Sequence, residues 1–174
     1  SADRFKGQII PDPECIGTAT YEFETIASGW QGIWARDNTR ESLWDAMQRK
    51  ETYATTGTRL VVRMFGGWDF EKADADTRSP AITGYTKGVP MGGDLKGGKG
   101  APKFLISALK DPMGANMDRV QMVKGWVDAS GKMHEKIFNV VWSDAAKRKL
   151  VGDKLPPVGD TVDLKTATYK NTIG

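Results

Sequence analysis

Arg119-Val120-Gln121-Met122-Val123-Lys124-Gly125-Trp126-Val127, then Asp128-Ala129-Ser130-Gly131-Lys132, then Met133-His134-Glu135-Lys136-Ile137-Phe138-Asn139-Val140-Val141-Trp142 is the stretch on which the fold turns. The two outer runs are rich in valine, isoleucine and aromatic residues, the side chains that fit a pleated, half-covered surface. The link between them is made of turn formers and has hairpin length. Outward from this pair the period of two recurs. Thr58–Phe65 sets Leu60, Val62 and Met64 against Val61, Arg63 and Phe65. Lys103–Leu109 sets Phe104, Ile106 and Ala108 against Leu105, Ser107 and Leu109. Tyr21–Ile26, Thr161–Leu164 and Thr168–Asn171 are weaker strand candidates. Short strands punctuated by turn signals predict a mainly β chain, with a β-sandwich of immunoglobulin-like or related type.

One α-helix is predicted, over Thr39–Glu51. Asn38 is the expected N-cap, its side-chain oxygen placed to accept an orphan backbone N–H, and Glu41 stands three residues on as in a capping box. Leu43, Ala46 and Met47 fall at i, i+3 and i+4 with Trp44 beside them, giving one apolar stripe. Arg49 and Lys50 are read into the last turn, where positive charge meets the negative end of the dipole. The chain then divides into 1–57, an irregular lead-in with this helix, and 58–174, the sandwich. Gly66–Pro80 and Gly84–Pro102 read as long loops.

Composition bounds the function. A chain of 174 residues is one ordinary domain, or one with a short appendage. Lys+Arg 25 against Asp+Glu 22 leaves +3, too small an excess to argue for nucleic acid or a membrane surface. No apolar run reaches the ~18–20 residues that span a bilayer. A single cysteine, Cys15, excludes an internal disulfide, and a single histidine, His134, excludes a histidine-rich metal or proton-relay site.

Each motif that suggests chemistry has a plainer reading beside it. Gly93-Asp94-Leu95-Lys96-Gly97-Gly98-Lys99-Gly100 has phosphate-loop spacing, yet Gly100 stands where a hydroxyl should reach Mg²⁺. A strand pattern follows it in place of a helix, so a turn-rich loop is expected. Asp69, Glu71, Asp74 and Asp76 form an acidic run without EF-hand spacing, hence a solvated loop. Cys15 as a nucleophile would need His134 as its base, and a histidine on a strand face is the plainer reading. Of the six tryptophans, Trp126 and Trp142 fall in strands and Trp44 on the helix stripe, so a core role is expected over a glycan or peptide platform. Lys147-Arg148-Lys149 reads as a solvated loop.

A more specific signal is Gly32-Ile33-Trp34-Ala35-Arg36-Asp37-Asn38-Thr39-Arg40-Glu41-Ser42-Leu43-Trp44-Asp45-Ala46-Met47, with Arg49 to Gly57 after it. Together with Phe65-Gly66-Gly67-Trp68-Asp69-Phe70, Lys87 to Leu95, Val123-Lys124-Gly125-Trp126, His134-Glu135-Lys136 and Leu155-Pro156-Pro157-Val158-Gly159, it resembles the closing part of a PHP-superfamily metallohydrolase. The bacterial branch it resembles is domain of unknown function family 3604. The likeness covers most of the chain from about Trp30 onward, and Asn171-Thr172-Ile173-Gly174 belongs to it as well.

The resemblance implies a parent barrel whose His and Asp side chains hold divalent metal ions, which activate water and clamp developing oxyanion charge. Those ligand motifs are absent here, so no catalytic or metal-ligating residue is expected in this chain. On this reading the helix at Thr39–Glu51 is the last of the barrel, the sandwich is an appendage, and both ends of the chain are cuts. The chain is then a non-catalytic C-terminal fragment or accessory domain of a phosphoester-type hydrolase. Its partner would be the rest of that barrel, met through Trp34, Leu43, Trp44 and Met47, with self-association through uncovered apolar surface as the other outcome. Tyr53, Thr55, Thr56 and Arg59, just past the helix, are the candidates for contacting or positioning a substrate. The same resemblance implies export to the periplasm or beyond, while the lone cysteine fits the cytosol equally well. The competing expectation is a self-sufficient β-sandwich binding module that presents Trp and Gly-rich loops.

Overall fold

The computed structural model describes residues 29–170. Cys15 and the strand expected at Tyr21–Ile26 lie outside them. These residues divide into two compact units, one running to Leu109 and the other beginning at Lys110.

In the first unit β1 (Gln31–Ile33) pairs antiparallel with β2 (Thr52–Ala54), and α1 (Arg40–Gln48) lies between them in sequence. β3 (Val61–Gly67) is the centre of a second sheet, flanked by β4 (Gly88–Pro90) and β5 (Lys103–Leu109), all antiparallel. Between β3 and β4 come a 3₁₀ turn at Lys72–Asp76 and α2 (Pro80–Lys87). The second unit holds the hairpin of β6 (Arg119–Val127) and β7 (Met133–Trp142), and a short pair, β8 (Val162–Asp163) with β9 (Thr168–Tyr169). The described residues are therefore mainly β, with two α-helices and four small antiparallel sheets, none closed into a barrel. Among the described residues, no helix is long and apolar enough to cross a membrane.

Several expectations shift. A second helix, α2, was not expected and overlaps both segments read as loops, at Pro80 and at Gly84–Lys87: Pro80 sits in its first turn, where the missing N–H costs nothing. The first helix starts one residue late, because Thr39 and not Asn38 is the cap, its hydroxyl accepting from Ser42 N at 3.3 Å. It also ends early. Arg49 is the C-cap, Lys50 takes a left-handed φ of 60°, Lys50 N donates to Met47 O at 2.9 Å, and Glu51 N donates to Ala46 O at 3.1 Å. That pair of bonds is a Schellman turn. It removes Arg49, Lys50 and Glu51 from the helix and sends Glu51 inward. Gly92 packs on the same turn with φ of 84°, and a Cβ there would sit 2.5 Å from the carbonyl oxygens of Arg49 and Lys50. The expected strand at Thr58–Phe65 forms as Val61–Gly67, while β5, β6 and β7 fall where the alternation put them.

The core sits on one face of the three-stranded sheet. Phe65, Phe70 and Leu105 are buried together, and Phe65 lies directly opposite Leu105 in register. Helix α2 approaches this face through Gly84, where a Cβ would come 2.3 Å from the Phe65 ring. Ala46 of α1 is fully buried, but Leu43 is only half-covered and Met47 and Trp44 are exposed, so the stripe is mostly uncovered within this chain. Among the described residues the four buried apolar side chains all belong to the first unit. In the second unit the one buried residue among those described is Arg148, against the expectation of a solvated basic loop. A sandwich needs two sheets facing across a shared apolar core, and the second unit contributes no buried apolar side chain to one.

The tryptophans also depart from a core role. Trp30, Trp44 and Trp126 are exposed. Trp34, Trp68 and Trp142 are half-buried, each donating its indole N–H to a backbone carbonyl: Val62 at 3.0 Å, Lys96 at 3.1 Å and Arg148 at 2.9 Å. The Trp68 bond anchors the Gly93–Gly100 segment, and β5 follows it with no helix between.

Candidate functional site

The inward turn after α1 creates the most chemically distinctive place in the first unit. Glu51 is 2% exposed, and its two carboxylate oxygens are used separately. One accepts the phenol O–H of Tyr85 from α2, and the other accepts Arg49 Nε at 3.2 Å. Arg63 Nη2 in turn donates to the Tyr85 oxygen at 3.0 Å. The Arg63 guanidinium lies 4.2 Å from the Trp34 ring centre and 5.3 Å from those of Phe65 and Tyr85, an aromatic box of cation–π contacts. Its Nε is buried and has no acceptor among the described residues. Trp34 is itself pinned, with its backbone N–H on Glu51 O at 2.9 Å and its indole on Val62. Burial and the neighbouring Glu51 carboxylate push the Tyr85 hydroxyl above its ordinary range, so the phenol stays protonated. These groups line a cleft of about 600 Å³ with Ala35 and Arg36.

The residues singled out from sequence gather elsewhere, around Trp30. Thr55 accepts Trp30 N on its hydroxyl at 3.1 Å, and Arg59 lies 5.0 Å from the Trp30 ring centre. Thr56 is exposed nearby in sequence. Tyr53 pairs with Gly32 across β1–β2 and tilts against Trp34 at 6.2 Å, so it touches a residue of the cleft. Of the proposed docking residues, Leu43, Trp44 and Met47 line an open groove of about 860 Å³ on α1, whereas Trp34 belongs to the cleft.

Among the described residues, no three His, Cys, Asp or Glu side chains converge in a way that would hold a metal ion. The acidic run folds into the 3₁₀ turn, where Asp74 accepts Glu71 N at 2.7 Å and both its oxygens take Lys87 Nζ, at 2.8 and 2.9 Å. The Glu71 backbone bond and then the Lys87 ammonium hold the Asp74 carboxyl below its usual value.

In the second unit His134 stands 2.6 Å from Asp128 Oδ2 and stacks on Trp126 at 5.3 Å. Asp128 Oδ1 accepts Ser130 Oγ at 2.6 Å, Ser130 N at 2.9 Å and Lys132 N at 3.1 Å, which knots the hairpin turn. These bonds, Ser130 first and His134 next, lower the Asp128 carboxyl from 3.8 to about 2. Because the folded value lies below the unfolded one, the turn's stabilisation is complete above about pH 4 and disappears as pH falls through about 2. Amide exchange at Ser130 and Lys132 should accelerate across that window, and Asp128→Asn should remove the acid step. An unchanged step in the variant would assign it to another carboxylate.

The fold thus defines a mainly β protein of small sheets with an arginine-lined cleft beside a buried glutamate. The family model described as protein of unknown function (DUF3604) matches residues 5–174, and the chain belongs to that family. No curated protein and no solved structure matches it.

Proposed function

We propose that this chain is a non-catalytic accessory portion of a larger metal-dependent, phosphoester-type hydrolase of the PHP kind, and that the rest of that protein covers the apolar surfaces left open here. The observation that supports this most is the second unit. Its hairpin exposes Val123, Val127, Met133, Ile137, Phe138 and Val141, and no apolar side chain of the unit is buried among those described. Isolated hairpins are marginal in water, so β6–β7 needs a covering layer. In the proposal that layer completes a β-sandwich. The groove at Leu43, Trp44 and Met47 is the second such surface, and the missing barrel is its proposed occupant.

The metal dependence rests on the resemblance to PHP metallohydrolases. The described residues do not supply an ion cage, so the parent's divalent ions would be held by its other residues. Export to the periplasm rests on the same resemblance. The test is metal content and phosphodiesterase turnover, measured on this chain alone and on the longer protein. Metal and turnover are expected in the longer protein only. Stoichiometric metal with turnover in this chain alone overturns the reading.

The exposed indoles of Trp30, Trp44 and Trp126 favour a second reading, a self-sufficient binding module. Iodide quenching separates the two. Trp44 shielded in the longer protein supports coverage by the barrel, and Trp44 equally quenched in both supports a free binding surface.

A further inference from the structure

We propose that the cleft lined by Trp34, Arg36, Arg49, Glu51, Arg63 and Tyr85 binds a tetrahedral dianion, a phosphate or sulfate group. The charge inventory is the first reason: three guanidiniums face one carboxylate, leaving a formal +2 around about 600 Å³. The single carboxylate is already engaged, since Glu51 takes Tyr85 on one oxygen and Arg49 on the other. Among the described residues no carboxylate forms an ion pair with Arg63. Its guanidinium carries five N–H donors, and one hydrogen bond, to the Tyr85 oxygen, uses one of them.

A guanidinium free on a flexible stem would be an ordinary surface group. Arg63 is instead held by three rings and by the Tyr85 bond, on a strand at the centre of its sheet. A planar fork fixed in place before the ligand arrives loses little freedom on binding, and it matches the oxygen spacing of an oxyanion. Arg36, which is exposed, and Arg49, half-exposed, supply charge from the opposite strand-to-helix segment and the turn after α1. Glu51 keeps Tyr85 and Arg49 in place without cancelling the excess. The alternative occupant of such a cleft is the fold itself, a purely structural ion-pair cluster with no affinity for added anions.

Calorimetric titration of the chain at constant ionic strength with sodium sulfate, inorganic phosphate at pH 8, and chloride decides between them. Sulfate and phosphate should bind saturably, one per chain, and chloride should not. Arg36→Gln, on an exposed side chain, should weaken binding about tenfold, the loss of one charge-assisted contact. Lys124→Gln removes the same charge from the second unit and should leave affinity unchanged. Preference for phosphate over sulfate would point to a ligand that can share a proton, and equal affinity to charge and shape alone; both outcomes support the site. No saturable binding, or an equal loss with Lys124→Gln, overturns it. Because the readout is anion binding by this chain, the result is separate from whether a parent barrel exists.

Discussion

Arg148→Ala should unravel the second unit, at a cost of about 3 kcal/mol, the lower end of what breaking a buried ion pair costs. The lower end applies because Asp118, its partner at 2.7 Å, is about a third exposed and keeps Arg119 at 2.8 Å. The rest of the guanidinium's work is on backbone. Nε and Nη2 reach Pro156 O at 3.1 and 2.7 Å, and Nη1 reaches Ser143 O at 3.1 Å and Ser143 Oγ at 3.0 Å. One side chain thus ties the entry to β6, the exit from β7 and the 156 loop. Its own carbonyl holds the Trp142 indole. Among the described residues of this unit, no buried apolar side chain is available to hold these segments once it is gone. Arg148→Lys should fare little better, since an ammonium cannot present a fork of donors to three directions at once. Amide exchange along β6 and β7 reads the effect; protection unchanged near Arg119 and Trp142 would show that the loops are held some other way.

Much of the strand content was legible because alternation is a strong local signal. β5, β6 and β7 fall where their residues predict them, and the Asp128–Lys132 link folds as a hairpin turn. Short elements with weak periodicity were not. α2 spans eight residues whose Gly84 breaks the propensity, and that glycine is there for close approach to Phe65, a fact about a distant strand. The helix end was misread because basic residues suit a last turn, whereas here Lys50 adopts the left-handed conformation and the turn's hydrogen bonds decide. The cleft escaped detection for a related reason. Two signals did exist: Arg63 interrupts the apolar face that carries Val61 and Phe65, and Glu51 follows a helix with one apolar stripe. Neither residue by itself says that the two come together through Tyr85, 22 residues from one and 34 from the other. Arg148 was hidden inside a basic triplet whose composition suggests solvent.

Phe65→Ala should be the most damaging change in the first unit, at about 3–5 kcal/mol, the range for emptying a fully buried aromatic site. The ring is 1% exposed and fills the space between Leu105 across the sheet and Gly84 on α2. No Cβ projects from Gly84 to close the gap, so collapse is limited. The loss also reaches the cleft, because the same ring makes an edge contact with Tyr85 at 5.2 Å and forms one wall of the Arg63 box. Phe65→Leu separates the two roles. It keeps most of the volume and should cost roughly 1.5 kcal/mol or less, while removing the π face from Arg63 and Tyr85. Urea unfolding followed by tryptophan fluorescence gives the stabilities, and sulfate titration of the folded Leu variant gives the cleft. A Leu variant that is stable but binds the anion more weakly would show that the core ring positions the guanidinium. One that is stable and binds as before would assign that positioning to Trp34 and Tyr85 alone, and a Phe65→Ala loss under about 1 kcal/mol would mean that this core carries little of the unit's stability.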